Sequence, residues 1–197
     1  MHGIIHAQLK KFVEAHHGLD AWKSILEDAG LDGKLYLANS VYADDEATAI
    51  VGAASKLTGA PTAQILESFG EFLVPTLMTT YRALIKPSWK TMDMLVWTEE
   101  TIHKAVRLKE PGALPPKLRF QRTGPNTLKF FYHSPRRMAA VAKGIMKGVA
   151  RHYGESLDID EMPGPRGASV MTITIHPALD GGPGPATGGR REPFGVN

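Results

Sequence analysis

A short run in the second half of the chain combines two hydroxyl groups and a guanidinium at a spacing that suits the binding of carboxylates. It consists of Tyr132, His133, Ser134, Pro135 and Arg136, a Y-x-S-x-R pattern. In an extended segment, residues two apart point the same way, so Tyr132 and Ser134 can converge on one object while Arg136 follows at the start of the next helix. Hydroxyls and a guanidinium fork supply several hydrogen bonds to carboxylates, the arginine bidentately. The pattern therefore predicts a clamp for carboxylate groups.

His103 adds a metal ligand to these donors. Apolar residues recur at helical spacing from Met92 to Val106, with Ile102 and Val106 beside His103, so the imidazole is expected to point inward. One axial imidazole and donors for two partly buried propionates are what a haem requires. From residue chemistry alone, however, a Y-x-S-x-R motif is more often a helix cap with a solvated charge. A lone histidine is likewise more often a satisfied polar residue than a ligand.

The order of several short motifs resembles the haem nitric-oxide/oxygen-binding family, called H-NOX or HNOB. The resemblance extends from the N-terminus to about His176, and its pieces are Met1–Ile5, Leu57–Gly59, Ile65–Gly70, Glu100–His103, Gly112–Pro116 and the run at Tyr132. It implies that His103 is the axial ligand of a haem b and that the propionates are bound by Tyr132, Ser134 and Arg136. The family often has an aspartate three residues before the histidine. This chain has Glu100 there, a longer side chain with the same charge.

The resemblance also assigns a proline to the face of the haem. Pro116 corresponds to a proline that presses on the ring in the family and helps to distort it, which is one way to tune affinity and redox potential. A Pro-Pro connector that stops the helix before the first strand explains Pro116 equally well.

The distal pocket implied by the resemblance is apolar and consists of Ile5, Leu9, Leu73, Val141 and Ile145. In oxygen-binding members of the family a distal tyrosine stands five positions after the motif arginine, where this chain has Val141. A wall without a hydrogen-bond donor predicts binding of nitric oxide and carbon monoxide with little stable oxygen binding. Any helical core would also have apolar residues at these positions. A hydroxyl of Tyr81 or Tyr153 could still turn inward.

The composition predicts one globular domain. The chain has 197 residues, 43% of them hydrophobic and 22% charged, and no cysteine. The absence of cysteine excludes disulfides, iron–sulfur clusters and thiol nucleophiles. No apolar run approaches the roughly 20 residues that span a bilayer, so a cytoplasmic protein is expected. The net charge of +3 comes from basic residues scattered among acidic ones, which favours a solvated surface over nucleic-acid binding.

The periodicity predicts an α+β fold in which a helical N-terminal part precedes a small antiparallel sheet with an inserted helix, and a haem is held between the two parts. One predicted helix extends from Thr62 toward Tyr81, with a break near Pro75. The alternating segments 117–123 and 127–133 form a hairpin, a helix occupies about 136–153, and segments 155–161 and 168–176 complete the sheet. Residues 1–178 are expected to form the domain, and 179–197 a disordered Gly/Pro/Arg-rich tail or linker.

The function implied is a sensor and not an enzyme. The chain has no G-x-S-x-G elbow, Walker loop, H-E-x-x-H pair or Rossmann fingerprint. The resemblance implies a haem-based gas sensor that signals to a separate partner, such as a histidine kinase or a cyclic-dinucleotide enzyme. Two alternatives stay open: a haem-free module of the same fold that binds a protein or a small apolar ligand, and a basic nucleic-acid binder, which the scattered charges disfavour.

Overall fold

Helices form the first half of the molecule. The computed structural model describes residues 1, 3–109, 115–134, 138–164 and 168–177. The first four helices are α1 (Gly3–His17), α2 (Leu19–Asp28), α3 (Asp44–Thr58) and α4 (Thr62–Thr80). Helix α3 begins with three acidic residues, which favour a helix N-terminus, and it ends at Gly59, whose φ of 71° is left-handed. No helix among the described residues is long and apolar enough to cross a membrane.

The break predicted near Pro75 is wrong, because α4 continues through this residue to Thr80. A proline nitrogen cannot donate the usual helical hydrogen bond, and its ring crowds the preceding turn. Pro75 is exposed, so its ring does not disturb the inner face of α4. That face packs against a later helix.

A second helical segment carries the predicted axial histidine. It consists of α5 (Thr91–Trp97), a π-helical turn (Glu99–His103) and α6 (Lys104–Lys109). In the π-helical turn the His103 amide donates to the Thr98 carbonyl oxygen, five residues earlier, at 3.0 Å. Such wide turns contain an extra residue and occur frequently at functional sites. The helix predicted from Met92 to Val106 is therefore present, but its hydrogen-bonding register changes at His103.

The sheet has four antiparallel strands in the order β1-β2-β4-β3. The strands are β1 (Lys117–Arg122), β2 (Thr127–His133), β3 (Ser156–Pro163) and β4 (Ser169–His176), and α7 (Ala139–His152) connects β2 to β3. The α+β fold with an inserted helix is thus confirmed. The predicted tail at 179–197 lies outside the described residues, and the division at residue 178 stays a prediction.

Helix α4 of the helical part crosses α7, the helix that connects β2 to β3, and the two helices meet at glycines. A Cβ atom built on Gly144 would lie 1.9 Å from the Glu67 carbonyl oxygen and 2.9 Å from the Gly70 Cα atom. One built on Gly70 would lie 2.3 Å from the Val141 carbonyl oxygen. The two backbones approach so closely that no side chain fits between them. This crossing places the first turns of α7 beside the core of the N-terminal helices.

Candidate functional site

An apolar cavity of about 300 Å³ lies between the N-terminal helices and the sheet. Helices α1, α4, α5, α6 and α7, the π-helical turn and strands β1 and β2 all contribute to its wall. Nine of the ten residues predicted for the site line this cavity: Ile5, Leu9, Leu73, His103, Pro116, Tyr132, Ser134, Val141 and Ile145. The tenth, Arg136, lies outside the described residues. Residues that are far apart in sequence therefore share one surface.

His103 presents a ring that is already held at one nitrogen. Its Nδ1 atom lies 3.1 Å from Oε2 of Glu99, and only 16% of its side chain is exposed. A carboxylate accepts a hydrogen bond from Nδ1–H, so Nε2 is the nitrogen that is available to a metal. Histidines that ligate metals usually have their second nitrogen held in this way.

Burial lowers the pKa of His103, and the Arg107 guanidinium acts in the same direction. The Glu99 carboxylate and the Pro116 carbonyl raise this pKa, but they do not outweigh burial. A histidine whose pKa lies below 6.5 is neutral at pH 7, and neutral imidazole is the form that ligates a metal.

Glu99 is the residue that the sequence analysis missed. Its carboxylate accepts hydrogen bonds from Arg107 Nη2 at 2.6 Å and from the Leu118 backbone amide at 3.1 Å, besides that from His103. Burial by itself raises the pKa of Glu99, and these three hydrogen bonds outweigh it and hold the pKa below its usual range. Glu100, at the position where the family often has an aspartate, is exposed. The signal in the sequence that could have indicated this contact is the spacing of residues 99, 103 and 107, since residues four apart lie on the same face of a helix.

The two described hydroxyl residues of the Y-x-S-x-R motif face the same cavity from the sheet. Tyr132 lies on β2 and is 6% exposed, and Ser134 follows the end of that strand. His133, between them, is exposed. The alternation expected of an extended segment is therefore present. The position of Arg136, which would complete the clamp, is not described.

The wall contributed by α1, α4 and α7 is apolar, with Ile5 and Leu9 on α1, Leu73 on α4, and Val141 and Ile145 on α7. Of the two tyrosines considered as donors, Tyr81 lines the cavity, whereas Tyr153 does not belong to the lining. The Thr98 hydroxyl also reaches the wall, but it donates to the Met94 carbonyl oxygen at 2.6 Å.

The donor set fits a haem. One imidazole has its Nδ1 atom tied to a carboxylate, the hydroxyls of Tyr132 and Ser134 offer hydrogen bonds to propionates, and the remaining wall suits an apolar ring. No group of three or more histidine, cysteine, aspartate or glutamate residues in the described part of the chain could hold a bare metal ion.

Comparison with solved structures identifies the fold. The structure matches an H-NOX protein from S. oneidensis in the Fe(II)NO ligation state with a TM-score of 0.82 and 23% identity, over 89% of this chain and 99% of that chain. It matches the unliganded Fe(II) H-NOX protein from K. algicida with a TM-score of 0.82 and 22% identity, over 91% of this chain and 98% of that chain. At these identities the likeness establishes the fold alone.

Sequence comparisons point to the same family. The chain is 25% identical over 164 residues to soluble guanylate cyclase gcy-32 of Caenorhabditis elegans. The aligned segment covers 81% of this chain and 24% of that protein. It is 25% identical over 162 residues to gcy-35 of the same organism, covering 77% and 23% respectively. The chain thus spans about a quarter of the length of these relatives. The family model described as Haem-NO-binding, HNOB, matches residues 2–161, and this chain therefore belongs to the HNOB family of haem-based gas sensors.

Proposed function

We propose that this chain binds haem b through His103, senses nitric oxide and carbon monoxide at the ferrous iron, and passes the signal to a separate partner protein. The observation that carries the proposal is one apolar cavity lined by a tethered imidazole and by Tyr132 and Ser134 of the Y-x-S-x-R motif. Family membership supports the same function. The protein is proposed to act in the cytoplasm and to have no catalytic activity of its own.

Each part of the wall has a defined task in this proposal. Haem would supply an iron that binds diatomic gases. His103 holds the iron from the π-helical turn, while Tyr132 and Ser134 donate hydrogen bonds to the propionates and Arg136 is the proposed third donor. Pro116, which also lines the cavity, is proposed to press against the ring.

Selectivity is proposed to come from the wall of α1, α4 and α7. Dioxygen acquires partial negative charge on iron and is stabilised by a nearby donor, whereas nitric oxide binds ferrous iron firmly without one. The five apolar side chains Ile5, Leu9, Leu73, Val141 and Ile145 offer no hydrogen-bond donor. We therefore expect binding of nitric oxide and carbon monoxide with little stable binding of oxygen.

Signalling is proposed to start with the release of His103. Binding of nitric oxide would weaken the hold of His103 on the cofactor, and the helical segment that carries His103 would then no longer be tethered through the cavity. The N-terminal helices and the sheet meet at this cavity, so loss of the tether can change their relative position and the surface offered to a partner. The proposed partners are a histidine kinase or a cyclic-dinucleotide enzyme.

The ultraviolet–visible spectrum of the purified, hemin-supplemented protein tests the proposal. After reduction under anaerobic conditions, we expect a ferrous histidine spectrum that converts to a five-coordinate nitrosyl on addition of nitric oxide. A protein that takes up no haem would contradict the proposal and would favour the haem-free interaction module. A stable oxygen complex in air would contradict the proposed selectivity.

A further inference from the structure

The Glu99 carboxylate lies where the helical segment meets the sheet. Its Oε2 atom is 3.1 Å from His103 Nδ1 and 3.1 Å from the Leu118 amide nitrogen, and its Oε1 atom is 2.6 Å from Arg107 Nη2. The Glu99 side chain is 19% exposed, so solvent screens these contacts only partly. In the register of β1 and β2, Leu118 is paired with Tyr132. One carboxylate therefore contacts the predicted axial ligand and the strand next to the predicted propionate clamp.

We propose that Glu99 is the positioning residue that sets how strongly His103 donates to the haem iron, and that Arg107 opposes this effect. The proposal rests on the function proposed above. Glu99 acts through His103 and does not itself touch the haem. This role of Glu99 goes beyond family membership. The aspartate that is frequent in the family stands three residues before the histidine, and Glu100, which occupies that position in this chain, is exposed.

The hydrogen bond from His103 to Glu99 controls electron donation at the opposite nitrogen. An anionic acceptor on Nδ1–H fixes the tautomer that has its lone pair on Nε2, and it raises the basicity of that nitrogen. Glu99 can thus fix the orientation of the ring and strengthen the bond between iron and histidine. Replacing the carboxylate by an amide removes the charge while keeping the shape of the side chain, so this bond should weaken.

Arg107 reduces the strength of Glu99 as an acceptor. A guanidinium bound to Oε1 draws negative charge from the carboxylate and leaves less of it for His103. Removing the guanidinium should make Glu99 a better acceptor and strengthen the bond between iron and histidine. The two substitutions therefore have opposite expected effects on the same bond.

The contact with Leu118 extends this effect to the sheet. Because His103 Nδ1–H and the Leu118 amide share Oε2, a movement of His103 changes the acceptor available to the start of β1. When release lets His103 move away from Glu99, Oε2 is left to the Leu118 amide alone, and the hydrogen bond of this amide should strengthen. Strand β1 would report the state of the histidine.

Resonance Raman spectroscopy of the ferrous haem protein tests the assignment through the frequency of the iron–histidine stretch. Compared with the wild type, Glu99→Gln should lower the frequency and Arg107→Gln should raise it. Glu100→Gln is the matched control, since it removes an exposed carboxylate one residue away, and it should leave the frequency unchanged. Arg107 is 36% exposed, so its replacement is expected to fold even if Glu99→Gln does not.

Hydrogen exchange at the start of β1 provides a second measurement. In the wild type, nitric oxide should slow exchange in the segment that contains the Leu118 amide. In Glu99→Gln this exchange should be faster than in the wild type, because an amide oxygen is a weaker acceptor than a carboxylate, and nitric oxide should change it little. In Glu100→Gln it should behave as in the wild type.

The outcomes separate the two proposals. A wild type that binds no haem would overturn both the proposed function and the role of Glu99. A wild type that binds haem, with the same stretching frequency in all three variants, would overturn only the role of Glu99. Shifts of the same sign in Glu99→Gln and Arg107→Gln would also overturn the role of Glu99. The proposal requires shifts of opposite sign, whereas a purely structural contribution does not predict them.

Discussion

At the scale of single residues, the environment of His103 separates it from the exposed histidines His133 and His176. Its ring is mostly buried, lines an apolar cavity and is tied at Nδ1 to a carboxylate. His133 is exposed beside the cavity wall, and His176 is paired with Asp158 at 2.8 Å in an exposed position. Burial next to an anionic acceptor is what distinguishes a proposed ligand from a surface histidine.

His103→Ala should abolish the endogenous axial bond. The variant should lose the ferrous histidine spectrum and recover a similar one on addition of imidazole, because the cavity left by the missing ring can admit the free ligand. Spectra with and without imidazole measure this effect. His133→Ala is the matched control, and it should keep the wild-type spectrum. Equal spectra for both variants would show that His103 is not the ligand.

Glu46 provides a second test at this scale, through the dependence of stability on pH. Burial by itself raises its pKa, but hydrogen bonds from Lys34 at 2.5 Å and from the Tyr36 hydroxyl at 2.8 Å hold the pKa below 4.5. A carboxyl group whose pKa is lower in the folded state stabilises the protein above its unfolded pKa. This stabilisation is lost as the pH falls from about 4.5 through the folded value.

The stability that depends on Glu46 should therefore be present at pH 7 and lost below pH 4.5. Urea unfolding of the wild type and of Glu46→Gln should show a difference at pH 7 that diminishes toward pH 3. Asp45→Asn, which removes an exposed carboxylate on the same helix, should show no comparable change. A difference for Glu46→Gln that does not vary with pH would contradict the prediction.

At the scale of secondary-structure elements, the close crossing of α4 and α7 at glycines positions part of the cavity wall. Gly70 and Gly144 bring the two backbones into contact, and Val141 and Ile145 flank Gly144 on the cavity wall. Because Gly70 and Gly144 have no side chain, the two helices lie close together, and this contact positions Val141 and Ile145. The cavity would change its shape if these helices moved apart.

Gly144→Ala should destabilise the fold by about 1–3 kcal/mol or more, the typical cost of forcing a methyl group into a packed core. The new Cβ atom would meet the backbone of Glu67, which cannot move aside as a flexible side chain would. Gly52→Ala is the matched control on α3, because its Cβ atom has no other atom within 4 Å. That change should stabilise the helix by up to about 1 kcal/mol. Thermal and urea unfolding of both variants measure the expected loss of stability in Gly144→Ala and the expected gain in Gly52→Ala.

At the scale of the whole molecule, the cavity wall is a joint product of elements that are distant in sequence. Ile5 and Leu9 come from α1, Leu73 from α4, and Val141 and Ile145 from α7, while His103 and Tyr132 approach from the opposite part of the fold. The proposed gas selectivity would therefore be a property of the assembled wall. A single donor placed on it should change that selectivity.

Val141→Tyr should give the haem protein measurable oxygen binding. A hydrogen bond to a group with partial charge is worth about 1.5–3 kcal/mol, which corresponds to an increase in oxygen affinity of roughly 10- to 100-fold. Val141→Phe is the matched control, since it adds similar bulk without a hydroxyl. Oxygen titration of the reduced proteins should show the gain in the tyrosine variant alone. Equal oxygen affinity in both variants would mean that the hydroxyl does not reach the bound gas.

The amino-acid sequence by itself determined the order of helices and strands, the inward position of His103, and the shared face of Tyr132 and Ser134. These features depend on periodicities of 3.6 and 2 residues, which are local properties of the chain. The sequence also placed nine site residues that the structure brings to one cavity, although it did so through a family resemblance and not through spacing. Their roles remain predictions.

Only the tertiary structure decided which carboxylate holds His103 and how α4 passes Pro75. The sequence predicted no carboxylate partner for His103, whereas the π-helical turn and the amide of Leu118 accompany a hydrogen bond from His103 to Glu99. A wide turn costs backbone energy that local propensity cannot reveal, and its partner on β1 is 19 residues away in the chain. Pro75 likewise stays in its helix because α4 packs on α7. Contacts between distant segments supply the free energy that overrides these local preferences.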